Sequence, residues 1–428
     1  MLKKLFGFDS KVSTIQTEII AGITTFLTMA YILAINPNIL SSTGMDKGAL
    51  FTSTVLMAVI PTILMAIYAK LPFALAPGMG LNAFFAFTVC LGMGYNWQFA
   101  LTAVLLEGLI FILLTVTNLR EKIVDVLPQT IKNAMGTGIG LFIAFIGLQN
   151  SSIIVKDEAT FVTLGDLTSG AALLGTIGLV ITSALMIRKV KGAFLIGILI
   201  TTLIGIPMGI THLDGIFSIP PSIDPIMFQF EWNHIFTRDM VIVVFTLLFI
   251  DIFDTIGTLV GVCMKAGMVD KNGKIPFIKK AFFVDAIGTT LGAMMGNCTV
   301  TTYVESASGV SEGGRTGLTS FVTAFCFLCA LFLSPFFLAV PASATGPVLV
   351  LVGLSMASSI LDFRFEGYLE SVPAFLCITM MPFAYSISEG IVIGLLSYII
   401  LHILTGQYKK VSKGTYILGI IFLFKFFM

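Results

Sequence analysis

Five carboxylates of this 428-residue chain fall in the interior of apolar stretches, away from their first turns: Glu107, Asp251, Asp254, Asp285 and Glu305. A charge in hydrocarbon costs at least ~2.5–3.5 kcal/mol on insertion scales, so an acid at such a position is a functional candidate by default. No Lys or Arg lies at comparable depth in the sequence to pair with them. Each acid must therefore hold a proton, accept from backbone or hydroxyl donors, or be matched by a ligand or cation. Asp254 stands in Phe249-Ile250-Asp251-Ile252-Phe253-Asp254-Thr255-Ile256-Gly257-Thr258, where positions 251, 254, 255 and 258 share one helical face. Such a stripe serves either as a hydrogen-bonded seam between helices, the reading for Asp251, or as one wall of a site, the reading for Asp254.

Glu305 stands in a segment unlike any lipid-facing helix, Thr299-Val300-Thr301-Thr302-Tyr303-Val304-Glu305-Ser306-Ala307-Ser308-Gly309. The β-branched run 299–304 leans to extended backbone, and the Ser/Ala/Gly run after it suits a short half-helix, with Glu305 at the break. A second broken segment is Pro72-Phe73-Ala74-Leu75-Ala76-Pro77-Gly78-Met79-Gly80-Leu81-Asn82-Ala83-Phe84-Phe85. Pro77, Gly78 and Gly80 remove helix propensity there, and irregular backbone at membrane depth is tolerated only where it lines a cavity. Asn82 offers donor and acceptor together, and Phe84 and Phe85 offer aromatic surface. Thr24, Thr25 and Met29 can complete the wall, whereas Glu107 and Asp285, without companion motifs, read as structural hydrogen-bond acceptors. Glu312 and Arg315 read as a solvated pair. Gly78-x-Gly80 lacks the third glycine and the βαβ setting of a nucleotide-binding loop. The three histidines lie in loops or near a span end, and the six cysteines form no disulfide framework.

The elements that must position these residues follow from composition. Apolar residues make up 57% of the chain and charged residues 11%, against about 45–50% and about 25% in soluble domains. That balance excludes a soluble enzyme, a nucleic-acid binder and a disordered scaffold, and the net charge of +1 gives no bulk attraction to acidic partners. Apolar runs of ~20 residues recur throughout, the pattern of an all-α polytopic membrane protein. The spans read 16–37, 50–69, 73–91, 97–117, 130–148, 171–187, 192–210, 239–261, 281–296, 300–311, 318–339, 344–361, 369–385 and 388–405. The stretch 415–427 is short for a span and suits the interface. The first span lacks a cleavage pattern and is no signal peptide.

With the N-terminus inside, 20 of the 24 Lys and Arg fall in cytoplasmic loops, so both termini are expected in the cytoplasm and the protein in the cell (inner) membrane. The polar stretch 211–238, with Pro220, Pro221 and Pro225, separates seven spans from seven. An odd number per half inverts the second half, the plan of many secondary transporters. The expected units are a first repeat (1–210, spans one to seven), an external connection (211–238), a second repeat (239–405, spans eight to fourteen) and a tail (406–428). Spans three and ten are the two interrupted ones, and their matching positions point to a site between them.

The motifs Ala21-Gly22-Ile23-Thr24-Thr25-Phe26-Leu27-Thr28-Met29-Ala30-Tyr31, Ala76-Pro77-Gly78-Met79-Gly80-Leu81-Asn82-Ala83, Asp251 to Thr258, Glu305 to Gly309 and Gly313-Gly314-Arg315-Thr316-Gly317-Leu318-Thr319 together resemble a known family. It is the azaguanine-resistance-type adenine/guanine/hypoxanthine permease, a branch of the nucleobase–cation symporters with the nucleobase–ascorbate transporter fold. The resemblance implies fourteen spans in a 7+7 inverted repeat, core and gate domains, and half-helices preceded by short strands at spans three and ten. It also implies proton-driven import of purine bases, no cofactor, no enzymatic activity and a homodimer in lipid. Asp254 matches the substrate-holding acid of span eight, Glu305 that of span ten, and Asn82 the polar residue of span three. The expected substrate-binding set is Asp254, Glu305, Asn82, Thr25, Ala83, Tyr303, Ser306 and Ser308, with the coupling proton on Asp254 or Glu305. Relatives that carry xanthine, uric acid or uracil have Glu on span eight, often with His one turn later. This chain has Asp254 and Thr258 instead. An anion transporter of the same layout and a uracil- or xanthine-type symporter stand as alternatives. A channel lacks the continuous polar lining it would need, and no HExxH, GxSxG or nucleophile–base pair marks an enzyme.

Overall fold

The computed structural model describes residues 2–117, 128–168, 170–213, 215, 217–266, 277–358, 360 and 367–427. Of the basic residues that set the expected orientation, Arg120, Lys122, Lys271, Lys274 and Arg364 lie outside the described residues. A short α1 (Leu2–Phe6) precedes the first span, which divides into α2 (Ile15–Met29) and α3 (Ile32–Ser41) at Ala30-Tyr31. Thr14 starts α2 by accepting from the Thr17 N–H. Next come α4 (Lys47–Leu64), capped by Asp46 and widened into a π-turn at Met65–Ala69, then β1 (Leu75–Pro77) and α5 (Met79–Ala83). The last continues as a π-helix over Phe84–Gly92. The first half closes with α6 (Trp97–Val116), α7 (Gln129–Asn150), the hairpin β2 (Ile154–Asp157) and β3 (Phe161–Leu164), α8 (Gly170–Ile187) and α9 (Ala193–Gly205).

The second half runs α10 (Arg238–Ala266), α11 (Ile278–Met294), β4 (Val300–Thr302), α12 (Ser306–Ser311), α13 (Gly317–Ala330) and α14 (Ser334–Leu338). It ends with α15 (Ala342–Ala357), α16 (Tyr368–Phe383), α17 (Ile387–Leu404) and the tail helix α18 (Lys413–Phe427). Every apolar segment read from the sequence carries helix, and spans three and ten are strand-then-half-helix as expected. Among the described residues six helical stretches are long and apolar enough to cross a membrane by length and composition, including Lys47–Ala69 and Gln129–Asn150. Between the spans read at 130–148 and 171–187, where the sequence analysis names no element, β2 and β3 pair as a hairpin. The Asp157 carboxylate accepts from the Ala159 and Thr160 N–H groups and closes its turn. The tail helix packs Phe422 against Phe245 of α10, with ring centroids 5.8 Å apart.

The helices sort into two packed groups, each drawing on both halves of the chain. One joins α2–α6 to α10–α13, and the other joins α7–α9 to α15–α17. In the second group α7 and α15 touch through glycines. A Cβ on Gly140 would come 2.5 Å from the Gly353 carbonyl oxygen, and one on Gly147 would come 2.6 Å from that of Gly346. Both pairs are spaced seven residues along their helices, so the two backbones approach over two turns.

The first group is fastened by a buried carboxylate that the sequence reading passed over. Glu18 of α2 accepts from the N–H groups of Arg315 (3.1 Å), Thr316 (3.3 Å) and Thr319 (3.2 Å) and from the Thr319 hydroxyl (2.5 Å). It thereby satisfies orphan donors at the start of α13. Arg315 does not pair with Glu312: its guanidinium donates to the carbonyls of Val310 (2.6 Å) and Gly314 (2.8 Å), at the end of α12. Glu312 instead meets Lys191, between α8 and α9, at 2.6 Å. Glu18→Ala removes the side-chain acceptor of the Arg315 and Thr316 N–H groups, at about 1–3 kcal/mol for each left unsatisfied, while the Thr319 N–H keeps the Thr316 carbonyl. Detergent-solubilised protein is therefore expected to unfold at a lower temperature, with Glu18→Gln, which keeps one acceptor oxygen, losing less. A side chain at Gly309 of α12 would come within 2.5 Å of the Ala21 carbonyl oxygen of α2. Gly309→Ala is expected to cost about 1–3 kcal/mol by overpacking, read in the same thermal assay.

Candidate functional site

The two broken segments meet in the middle of the first group. Strands β1 and β4 pair antiparallel, with Leu75 opposite Thr302, Ala76 opposite Thr301 and Pro77 opposite Val300. The ladder extends at both ends, where the Gly78 N–H donates to Thr299 O (2.9 Å) and the Tyr303 N–H to Ala74 O (3.0 Å). Side chains complete it. The Ala74 N–H donates to Ser306 Oγ (3.0 Å), and the Tyr303 hydroxyl donates to Pro77 O (2.5 Å). A Cβ on Gly78 would lie 3.0 Å from Thr301 Cγ2, so any larger residue would press on the opposite strand. Tyr303 and Ser306, expected as substrate ligands, thus use their hydroxyls to tie the two segments together.

Glu305 stands at the N-cap of α12 but makes no capping bond to its own helix. Its Oε1 instead accepts from the Tyr31 hydroxyl of the first span, at 2.5 Å. Asp254, from α10, lies within electrostatic range of Glu305 and of Asp285, and Tyr303 within range of both Glu305 and Asp254. Asp254 and Glu305 are partly accessible and Val304 is 60% exposed, so this junction borders open space rather than packed core.

Asn82, on α5, is fully buried, and neither its amide nitrogen nor its oxygen has a partner among the described residues. A buried carboxamide left without partners is costly, and the cost is recovered only when something binds it. Ala83 is buried beside it, and Ser308 is partly buried on α12. Thr24 and Met29 are buried, and the Thr25 hydroxyl donates to Ala21 O (3.0 Å) beneath Gly309.

The other three acids, Glu107, Asp251 and Asp285, are fully buried. The Thr255 hydroxyl lies 2.9 Å from Asp251 Oδ1 and 3.2 Å from Asp285 Oδ2, one proton placed between two acceptors. The Thr299 hydroxyl donates to Glu107 Oε2 (2.6 Å). Glu107 and Asp285 accordingly take hydrogen bonds from neighbouring segments, as their isolation in the sequence suggested. Among the described residues no group of three or more His, Cys, Asp or Glu side chains is arranged to hold a metal ion.

Sequence reasoning missed three features. Tyr31 lies 274 positions from Glu305, and nothing in the spacing links them. Asn36 donates to Thr54 Oγ1 (2.6 Å) and Asn297 Oδ1 (3.0 Å), a buried network joining spans one and two to the connection between α11 and β4. The asparagines inside apolar runs were its available signal. Glu18 carried a signal too, a carboxylate in the first turn of an apolar helix.

The chain matches known proteins along almost its whole length. The Xan_ur_permease family model, described as Permease family, covers residues 16–393. The adenine permease AdeP of Escherichia coli is 42% identical over 99% of this chain and 96% of its own. The guanine/hypoxanthine permease PbuG of Bacillus subtilis is 42% identical over 99% of each. Among solved structures, the transmembrane domain of the cyanobacterial bicarbonate transporter BicA superposes with a TM-score of 0.65. It is 15% identical, covering 89% of this chain and 97% of that one, and it shares the inverted-repeat fold. Strand-paired half-helices, two interleaved helix groups and full-length similarity to named permeases agree: this chain is a multi-pass membrane protein that belongs to the Permease family.

Proposed function

We propose that the chain imports purine nucleobases (guanine, hypoxanthine or adenine) by proton symport with alternating access. The observation that carries this reading is Glu305, presented at the junction of β4 and α12 within range of Asp254 and held by Tyr31. A carboxylate accepts two parallel hydrogen bonds, which suits the adjacent ring N–H and exocyclic amine of guanine, while hypoxanthine offers the ring N–H alone. A protonated acid donates instead, to a ring nitrogen or carbonyl. Exchange between those two states would couple a proton to the base. Asn82, with donor and acceptor both free, suits the remaining edge of a heterocycle. The similarity to AdeP and PbuG supports the same substrate class.

Two separately packed helix groups supply parts that can move against each other. Their contacts in this conformation include the Lys191–Glu312 ion pair and the Tyr31 ring, edge-on to Phe194 of α9 at 5.3 Å. The reading carries with it both termini in the cytoplasm, the cell membrane as location and a homodimer. An anion substrate fits less well, since Asp254 and Glu305 would repel it at close range.

Uptake of labelled guanine, hypoxanthine and adenine into proteoliposomes, with and without an inward proton gradient, tests the proposal. Accumulation of at least one base, rising as the outside is acidified, is expected. No gradient-dependent accumulation of any of them would overturn it, and sulfate or bicarbonate competition would favour the anion reading. Glu305→Gln keeps the shape but removes one acceptor, and is expected to weaken base binding by about tenfold or more. Asp254→Asn cannot take up a proton; it is expected to retain exchange of base for base while losing gradient-driven accumulation.

A further inference from the structure

Glu305 has two carboxylate oxygens, and Tyr31 occupies one of them. Its hydroxyl sits 2.5 Å from Oε1, in the short range of charge-assisted hydrogen bonds. The phenol is no loose rotor. Tyr31 is 1% exposed, lies at the joint between α2 and α3, and rests edge-on against Phe194 at an interplanar angle of 86°. A ligand reaching Glu305 therefore finds Oε1 already carrying one donor.

That asymmetry discriminates among purines, an inference that rests on the purine reading above. Hypoxanthine presents one donor on the face concerned, its ring N–H, and needs one carboxylate oxygen. Guanine presents two donors side by side, the ring N–H and the exocyclic amine, and needs both. One of those two donors must then crowd onto Oε1, which would accept from the ligand and from Tyr31 at once, whereas the single N–H of hypoxanthine can use the other oxygen alone. Discrimination of this kind arises from a competitor built into the site rather than from an added contact. We infer that Tyr31 is a specificity-determining residue, one that holds Oε1 of Glu305 and so disfavours two-donor purine faces relative to one-donor faces.

The test is competition of unlabelled guanine and of unlabelled hypoxanthine against labelled hypoxanthine, on wild-type protein and Tyr31→Phe, which removes the hydroxyl and keeps the ring. In the variant, guanine is expected to gain about tenfold relative to hypoxanthine, the worth of one hydrogen bond to a charged group, with hypoxanthine itself moving less than about threefold. An unchanged ratio overturns the inference, and so does loss of both bases, which would make Tyr31 a scaffold of the site. Phe194→Ala loosens the ring but keeps the hydroxyl, and is expected to shift the ratio the same way by a smaller factor. Should Tyr31→Phe fail to fold, an unshifted ratio in Phe194→Ala overturns the inference. If wild-type protein binds neither base, the purine reading itself has failed, a result distinct from all of these.

Discussion

Backbone amides and carbonyls cannot go unpaired in hydrocarbon, and two segments of this chain abandon the helix in the middle of the membrane. They can do so only because each supplies the other's partners. The three-residue strands β1 and β4 pair with each other, extend their ladder to Thr299 and Ala74, and recruit the Ser306 and Tyr303 side chains for the groups that remain. Pro77 has no N–H to satisfy, and its carbonyl is taken by Tyr303. This crossing fixes where α5 and α12 begin, and therefore where Asn82 and Glu305 stand. A change that unpaired the strands would leave polar groups buried at membrane depth and would move both residues at once.

Around that crossing the five intramembrane acids divide by environment. Glu107, Asp251 and Asp285 are fully buried and lie beside the hydroxyls of Thr299 and Thr255. Asp254 and Glu305 retain some accessibility, and Glu305 ignores its own helix to accept from Tyr31 on another span. Hydroxyls suit this setting because each donates one proton without adding charge, so they stabilise buried carboxylates where a lysine would have to be desolvated as well. The accessible pair is the one on which the proposed purine binding rests.

Close approach is the second organising condition, and glycine supplies it. Gly309 lets α12 lie on α2, while Gly140, Gly147, Gly346 and Gly353 let α7 and α15 touch backbone to backbone. Lipid gives helices no hydrophobic reason to associate, so packing at short range carries more of the stability than it would in water. Glu18 and Arg315 add polar fastening on either side of the turn between α12 and α13. The half-helix that presents Glu305 is thus held from the strand at one end and by the arginine at the other. Tyr31 touches both this assembly and Phe194 of the second group, so one side chain links the Glu305 carboxylate to both helix groups.

The sequence by itself determined much of this protein. Apolar run lengths marked the helical segments, and the inverted repeat expected from them is the fold shared with BicA. The β-branched run before Glu305 and the Pro77-Gly78-x-Gly80 interruption marked the two strands. These signals are local, set by propensity and by the width of the bilayer, so they are visible in short windows of residues. Asp254, Glu305 and Asn82 were visible for the same reason, as polar groups where polarity is costly. The tertiary structure alone decided the pairings: Tyr31 on Glu305 rather than lining a helix, Lys191 rather than Arg315 on Glu312, and Glu18 on the start of α13. It also turned Tyr303 and Ser306 inward to hold the strands. Such partnerships join residues up to about 300 positions apart. They depend on how rigid segments dock, and no periodicity or spacing in a single sequence encodes which hydroxyl or N–H will arrive beside a given carboxylate.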